Sequence, residues 1–398
     1  MSKPYFSILI PTFNRPDLLT FSIESVLRQD FTDFEIIVSN NGANLATRAV
    51  VKKYLTDVRV KYIENEQVLN MVAHWDKLGG LFNGRYFLIT TDRCMLKQGT
   101  LSFLFSKLNQ ENNQVKIITW PWDLYLDKMN ILLPCSREHV TVMTEMDSTE
   151  YLKGQAKFIG GVDYPMPRGM NSCVEGIFYK KLINRYGSVF RSISPDVTFS
   201  YFCLMNSKSF WYVNRALFIS QGVDVSNGGH AYVTTLNKHI ATLKIDNPFK
   251  KVPCKVPFLV NTVAEDFLRT AMECSRLDIY NAFCKTNYYS KLLSEWDAKF
   301  VAHKMTLSTI FSFRSKILAA MKTELPEVRR QVTSQRRMKW LYILLLFIRR
   351  SLVDFANMYL GDYLNNFKIK RILRNGDGVK LNNVYEAAGF FSGTDRPI

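Results

Sequence analysis

The stretch Phe6-Ser7-Ile8-Leu9-Ile10-Pro11-Thr12-Phe13-Asn14-Arg15-Pro16 decides how this chain folds. An unbroken apolar run reads as a strand buried on both faces, which is the habit of parallel sheets. The prolines and the asparagine then break the strand, and a helix-forming segment follows. The pattern recurs. Phe34-Glu35-Ile36-Ile37-Val38 runs into Ser39-Asn40-Asn41-Gly42-Ala43, and Tyr86-Phe87-Leu88-Ile89 runs into Thr90-Thr91-Asp92-Arg93. Polar side chains therefore collect where successive strands end. Open α/β sheets bind ligands outside the carboxyl ends of their strands, so the pattern predicts a nucleotide-type site.

Strands and helices alternate to about residue 120, ending on a strand expected over 115–119. From about 121 to 180 the chain is punctuated by proline and glycine, notably Gly160 to Gly169. A helix is expected to start at Ser194-Pro195-Asp196, with proline early in it and an acid in its first turn. A strand over 210–214 then precedes Gln221 to His230. Beyond about 235 the period becomes helical, with helices expected over 263–276 and 279–296. Turn residues are sparse from Ser308 to Phe367, and the stretch after Asn375-Gly376-Asp377-Gly378 shows no pattern and is expected to be loosely ordered.

At 398 residues the chain can bury a full core and is expected to carry more than one unit. The net charge of +17 calls for a polyanionic partner, and much of the excess falls late, around Arg329-Arg330, Arg336-Arg337, Arg349-Arg350 and 368–374. No nucleic-acid-binding motif accompanies it, so nucleic acid is not expected as a partner. Seven scattered cysteines lack metal-ligand spacing, which argues against zinc and for reduced thiols in a cytoplasmic setting. Met1-Ser2-Lys3-Pro4 leads straight into the first strand without an apolar signal segment. The apolar run Trp340 to Ile348 is far shorter than the roughly 20 residues a spanning helix needs. Its tryptophan and its flanks, Arg336-Arg337-Met338-Lys339 and Arg349-Arg350, suit a helix lying in an anionic lipid interface, each basic residue adding about 1 kcal/mol. The alternative is a core helix with basic ends.

Taken in order and spacing, these motifs resemble the family 2 glycosyltransferases over roughly the first 230 residues. The carriers are the Pro11-Thr12-Phe13-Asn14-Arg15 turn, the helix Ser22-Ile23-Glu24-Ser25-Val26-Leu27-Arg28-Gln29, the Phe34 to Val38 strand with Asn40-Asn41-Gly42, and Thr90-Thr91-Asp92 at the family's Asp-x-Asp position. The resemblance implies a GT-A fold, Rossmann-like, with a mainly parallel central sheet flanked by helices, followed by a helical C-terminal region. With the helical period and the late basic charge, the chain is expected to divide into a transferase domain over 1–232, a helical extension over 233–325 and a basic amphipathic region over 326–398.

The resemblance also implies a nucleotide-sugar site of Pro11, Thr12, Asn14, Arg15, Asn40, Asn41, Thr90, Thr91, Asp92 and Arg93. Asp92 would meet a divalent cation, manganese or magnesium, or the diphosphate itself. One acid of the usual pair is missing, because Thr90 stands in its place. Arg93 and Lys97 could supply positive charge without metal. Asn40 and Asn41 replace the usual acids beside the base; their amides can both accept and donate, although Asn-Asn-Gly also suits a plain turn. Arg15 could equally be a structural ion-pair partner, and Asp92 a strand-end residue.

Asp196 matches the family's catalytic base, a carboxylate that takes the acceptor hydroxyl proton in an inverting transfer; the alternative is a first-turn carboxylate without chemistry. His230 is a candidate for metal or diphosphate, against a structural role. Trp122, Arg168, Asn227 and His230 are candidates for the substrate and acceptor side, against a core tryptophan and a solvated arginine. The function implied is transfer of a sugar from a UDP- or GDP-linked donor to a saccharide or lipid-linked saccharide in surface polysaccharide synthesis, at the inner face of a membrane, with a homo-oligomer allowed. The competing expectation is a catalytically silent protein of the same fold that binds glycans or partners.

Overall fold

The computed structural model describes residues 3–111, 114–135, 140–158, 165–221, 236–245, 247–302, 305–336, 343, 345–348, 370 and 372–389. Along the chain run β1 (Phe6–Thr12), α1 (Pro16–Leu27), β2 (Phe34–Asn41), α2 (Leu45–Lys52), β3 (Val60–Asn65), α3 (Met71–Gly79), β4 (Tyr86–Ile89) and β5 (Cys94–Leu96). Then come α4 (Thr100–Gln110), β6 (Ile117–Thr119), β7 (Trp122–Leu126), β8 (Ile131–Leu133), β9 (Met143–Asp147), α5 (Ser148–Ala156) and β10 (Ser172–Glu175). They are followed by α6 (Gly176–Tyr186), α7 (Pro195–Met205), β11 (Ser209–Val213) and β12 (Phe218–Ser220).

The main sheet has eight strands in the order β3-β2-β1-β4-β10-β6-β11-β9. Strands β3, β2, β1 and β4 are parallel, β10 runs against both β4 and β6, β11 is parallel to β6, and β9 is reversed at the edge. This is a GT-A-like mixed α/β sheet with flanking helices, mainly parallel as the resemblance implied. Both β1 and β2 are buried along their whole length, which is why they read as continuous apolar runs. Each helical crossover returns the chain to the same edge of the sheet, so the strand ends lie side by side. The register pairs Thr12 with Asn40, Asn41 with Asn65 and Leu9 with Ile89. Helices leave that edge through local capping: Pro16 opens α1, while the Asn44 and Asn70 side chains accept from Thr47 and Ala73 N–H at 2.9 Å.

A smaller sheet has the order β13 (Val379–Lys380), β8, β7, β12, β5. Its outer strand β13 (Val379–Lys380) comes from the C-terminal stretch that the sequence left patternless. There α14 (Val384–Ala388) buries Val384 and Tyr385 against Met95, Tyr125 and Ile219. The expectation of loose order therefore fails for 379–388. The reason is tertiary, since β8 offers an edge and α1 an apolar face to a segment with little pattern of its own.

The helical part comprises α8 (Asn237–Leu243), α9 (Leu259–Glu273), α10 (Leu277–Tyr280), α11 (Lys285–Ala302), α12 (Leu307–Lys322) and α13 (Pro326–Arg336). Helix α9 starts earlier than expected because Glu295 caps it, its two carboxylate oxygens accepting from Leu259 and Val260 N–H at 2.8 Å. The single helix expected over 279–296 is interrupted, and Cys284 N–H donates to Ala156 carbonyl at 2.9 Å where the chain turns against α5. One apolar core joins Leu9, the nearly all-buried α7 and these helices, and reaches Ile343. Phe347 stacks on Phe300 with ring centres 4.4 Å apart, while Leu345 and Ile348 face outward. Trp340 lies outside the described residues. None of the described helices is long and apolar enough to cross a membrane. All seven cysteines are free thiols.

Candidate functional site

The turn after β1 is built by its own residues. Asn14 takes a left-handed backbone (φ 55°), a conformation asparagine tolerates better than most side chains, and Pro16 then starts α1. The Asn14 side-chain oxygen Oδ1 accepts from the Asn44 side-chain amide at 3.0 Å, joining this turn to the start of α2. Pro11 sits opposite Ser39 in the ladder, and Thr12 is buried.

The turn closes on Asp92. Thr12 Oγ1 donates to Asp92 Oδ2 at 3.0 Å, Phe13 N–H reaches the same oxygen at 3.4 Å, and Arg15 Nη1 lies 3.2 Å from Oδ1. Asp92 is only 1% exposed. Burial pushes its carboxyl above the usual range, against the pull of the Arg15 guanidinium and the Thr12 hydroxyl. Arg15 is thus the ion-pair partner of Asp92, and its side chain remains 29% exposed.

At the end of β2 the two asparagines point into different networks. The Asn40 amide donates to Tyr62 hydroxyl at 2.9 Å and Asn44 carbonyl at 3.2 Å; its carbonyl oxygen is buried without a partner among the described residues. Asn41 holds Leu69 like a strand partner, donating to its carbonyl and accepting from its N–H, each at 2.9 Å. Gly42 has φ 89°, and a Cβ there would stand 2.4 Å from Val68 Cγ2, so only glycine fits between the asparagine pair and this loop.

Beyond β4, Thr90 is buried, and its hydroxyl has no partner among the described residues. The Thr91 hydroxyl meets Cys94 Sγ at 3.3 Å. The two downstream cations are engaged elsewhere. Arg93 Nη1 donates to the Gln221 carbonyl at 2.9 Å, and Lys97 Nζ pairs with Asp123 Oδ2 at 2.5 Å. Gln221 itself is buried, and neither end of its side-chain amide has a partner among the described residues. It marks where β12 runs toward 222–235, which lie outside the described residues together with Asn227 and His230.

The acceptor-side candidates Arg168 and Trp122 meet, the guanidinium carbon lying 5.6 Å from the ring centre. Trp122 also stacks on Phe218 at 5.7 Å. Arg168 leads into the 3-10 turn Gly169–Asn171, where buried Asn171 donates from its amide to Trp120 and Met166 carbonyls at 2.9 and 3.1 Å. That asparagine fastens the Met166-Pro167-Arg168 loop to the end of β6, and nothing in its sequence context marks it. The 3-10 turn packs against β4 and α7. Asp196 stands half-buried in the first turn of α7, its carboxylate without a partner among the described residues. Fully buried Asp266 of α9 accepts from Ser194 N–H at 3.3 Å at the same helix end, and burial pushes its carboxyl well up.

The donor set fits a divalent cation poorly. Such a cation wants one or two carboxylates with open lone pairs. Here the position two before Asp92 is a threonine, and Asp92 already receives a guanidinium, a hydroxyl and an N–H. Among the described residues no three His, Cys, Asp or Glu side chains converge. The cation expected at Asp92 is therefore not supported by the groups around it, and His230 cannot be placed.

The fold is that of a GT-A-like α/β protein, with a cluster of polar side chains at its adjoining strand ends. Residues 7–138 match the family model "Glycosyl transferase family 2", so the chain carries a family 2 glycosyltransferase segment. A Campylobacter jejuni protein named GalNAc(5)-diNAcBac-PP-undecaprenol beta-1,3-glucosyltransferase is 36% identical over 110 residues, 27% of this chain and 35% of that protein. An uncharacterized glycosyltransferase of Methanocaldococcus jannaschii is 29% identical over 188 residues, 41% of this chain and 63% of that one. The chain thus covers between about a third and just under two thirds of these relatives. A crystal structure of S. aureus TarS 1-349 in complex with UDP-GlcNAc aligns with a TM-score of 0.47 at 14% identity, over 88% of this chain and 89% of that one.

Proposed function

We propose that this protein is an inverting glycosyltransferase that takes a sugar from a UDP- or GDP-linked donor and passes it to a saccharide or lipid-linked saccharide. The observation that carries the reading is the convergence of Thr12, Arg15 and Asp92 beside Asn40 and Asn41 at adjoining strand ends, inside the segment that matches family 2. The nucleotide would sit over the Asn40-Asn41 edge, with the diphosphate toward Arg15. Arg168, backed by Trp122, would offer a cation to the acceptor. Asp196 has the carboxylate the reaction needs. It would take the acceptor hydroxyl proton as that oxygen bonds to the anomeric carbon, while the carbon–oxygen bond to the nucleoside diphosphate breaks and the diphosphate leaves with the electron pair.

A lipid-linked acceptor is favoured by the name of the C. jejuni relative and by the basic C-terminal region. Exposed Leu345 and Ile348 would let that region rest on the inner face of an anionic membrane. The test is transfer or donor hydrolysis by the purified full chain with UDP- and GDP-linked sugars. Asp196→Asn should lower turnover by about 10²–10⁴-fold. Equal turnover of both forms removes Asp196 from the reaction, and no turnover with any donor favours the silent, glycan-binding alternative.

A further inference from the structure

We propose that Arg15, in place of a divalent cation, answers the charge of the donor diphosphate, and that Asp92 is the positioning residue that aims it. The inference rests on the nucleotide-sugar reading above and names the group that would do the electrostatic work there.

Four observations carry it. First, with Thr90 two positions before it, Asp92 is the single carboxylate at this strand end, and it already accepts on both oxygens. Second, a dication bound to Asp92 would stand beside the Arg15 guanidinium, whose Nη1 lies 3.2 Å from Oδ1, and like charges that close repel. Third, the cations that follow Asp92 are drawn off, Arg93 to the Gln221 carbonyl and Lys97 to Asp123. Fourth, the Arg15 head is held at the joint end of β1 and β4 while its side chain keeps 29% of its exposure. A guanidinium presents several N–H donors in a plane, a geometry matched to phosphate oxygens, and it stays charged at any relevant pH. Pairing with Asp92 removes the rotamer freedom of a long side chain before the ligand arrives, which lowers the entropy cost of binding.

Calorimetric titration of the full chain with uridine, UDP, guanosine and GDP, each in EDTA and in manganese, tests the inference. The expected result is diphosphate binding in EDTA within about threefold of its affinity in manganese. Arg15→Gln should weaken the diphosphate by about tenfold or more while leaving the matching nucleoside within about twofold, with Arg15→Lys in between. A merely structural arginine would weaken nucleoside and diphosphate alike, and that outcome overturns the proposal. Diphosphate binding that appears only with manganese also overturns it, needs no variant, and leaves the glycosyltransferase reading standing. Absence of any nucleotide binding, with or without metal, overturns both.

Discussion

Asn41 uses both ends of its side-chain amide on the backbone of Leu69, 2.9 Å to the carbonyl and 2.9 Å from the N–H. An asparagine can do this because it donates and accepts from one group; an aspartate cannot. Asn41→Asp turns a hydrogen bond into an oxygen–oxygen contact, and Asn41→Ala leaves both Leu69 groups unmet. Each should cost about 2 kcal/mol in urea denaturation. The amide at this position thus has a structural role, and an unchanged midpoint for Asn41→Asp would count against it.

Placing a second acid at position 90 tests the charge balance around Asp92. Thr90 is buried, with no hydrogen-bond partner for its hydroxyl among the described residues, so Thr90→Val should leave stability within about 1 kcal/mol of the parent. Thr90→Asp should lower the thermal midpoint in EDTA and recover part of it in manganese, while the parent protein shows no manganese-dependent rise. A metal-induced rise of similar size in the parent contradicts the assignment of Arg15.

His74 gives the fold an acid sensitivity. It is buried in α3 with Nε2 2.8 Å from Ser39 Oγ, and burial, reinforced by Lys77, lowers its pKa to about 4. The folded state therefore prefers the neutral ring. This contribution is complete above the ordinary value of 6.5 and is lost as pH falls from there toward 4. Between about pH 7 and pH 5 the loss from this group is about 2 kcal/mol. Stability curves of the parent and of His74→Gln should converge as the pH drops over that range, and parallel curves would remove His74 as the cause.

The C-terminal segment is a structural clasp. Tyr385 hydroxyl donates to Glu24, Arg28 lies 5.0 Å from the ring centre, and Gln98 N–H donates to Ala388 carbonyl at 2.9 Å. Ending the chain at 378 exposes Met95, Tyr125 and Ile219, and should destabilise the protein by roughly 3–5 kcal/mol from the lost burial of Val384, Tyr385 and their neighbours. Tyr385→Phe alone should cost about 1 kcal/mol, because Glu24 keeps Tyr54 and Arg28. Differential scanning calorimetry distinguishes these from a segment that contributes nothing.

Burial made the sheet legible. Strands covered on both faces must be apolar without interruption, so β1, β2 and β4 could be read directly, and the polar residues that close them could be read as a common edge. Period alone also found the helical character beyond residue 235. Helix ends were harder, because Glu295 caps α9 from a distant part of the chain, and a side chain thirty-odd residues away leaves no local mark.

The residue types at the strand ends, and hence the polar edge, were determined by the sequence by itself, since alternation of strand and helix brings those ends to one side. Only the tertiary structure decided what each polar group does there. Whether Asp92 faces a metal or a guanidinium depends on where Arg15, 77 positions away, lays its head. The same holds for Lys97 with Asp123, Asn41 with Leu69 and Tyr385 with Glu24. Charge and hydrogen-bond partners are chosen by distances of a few ångströms, and distances across the fold are not a property of neighbouring letters.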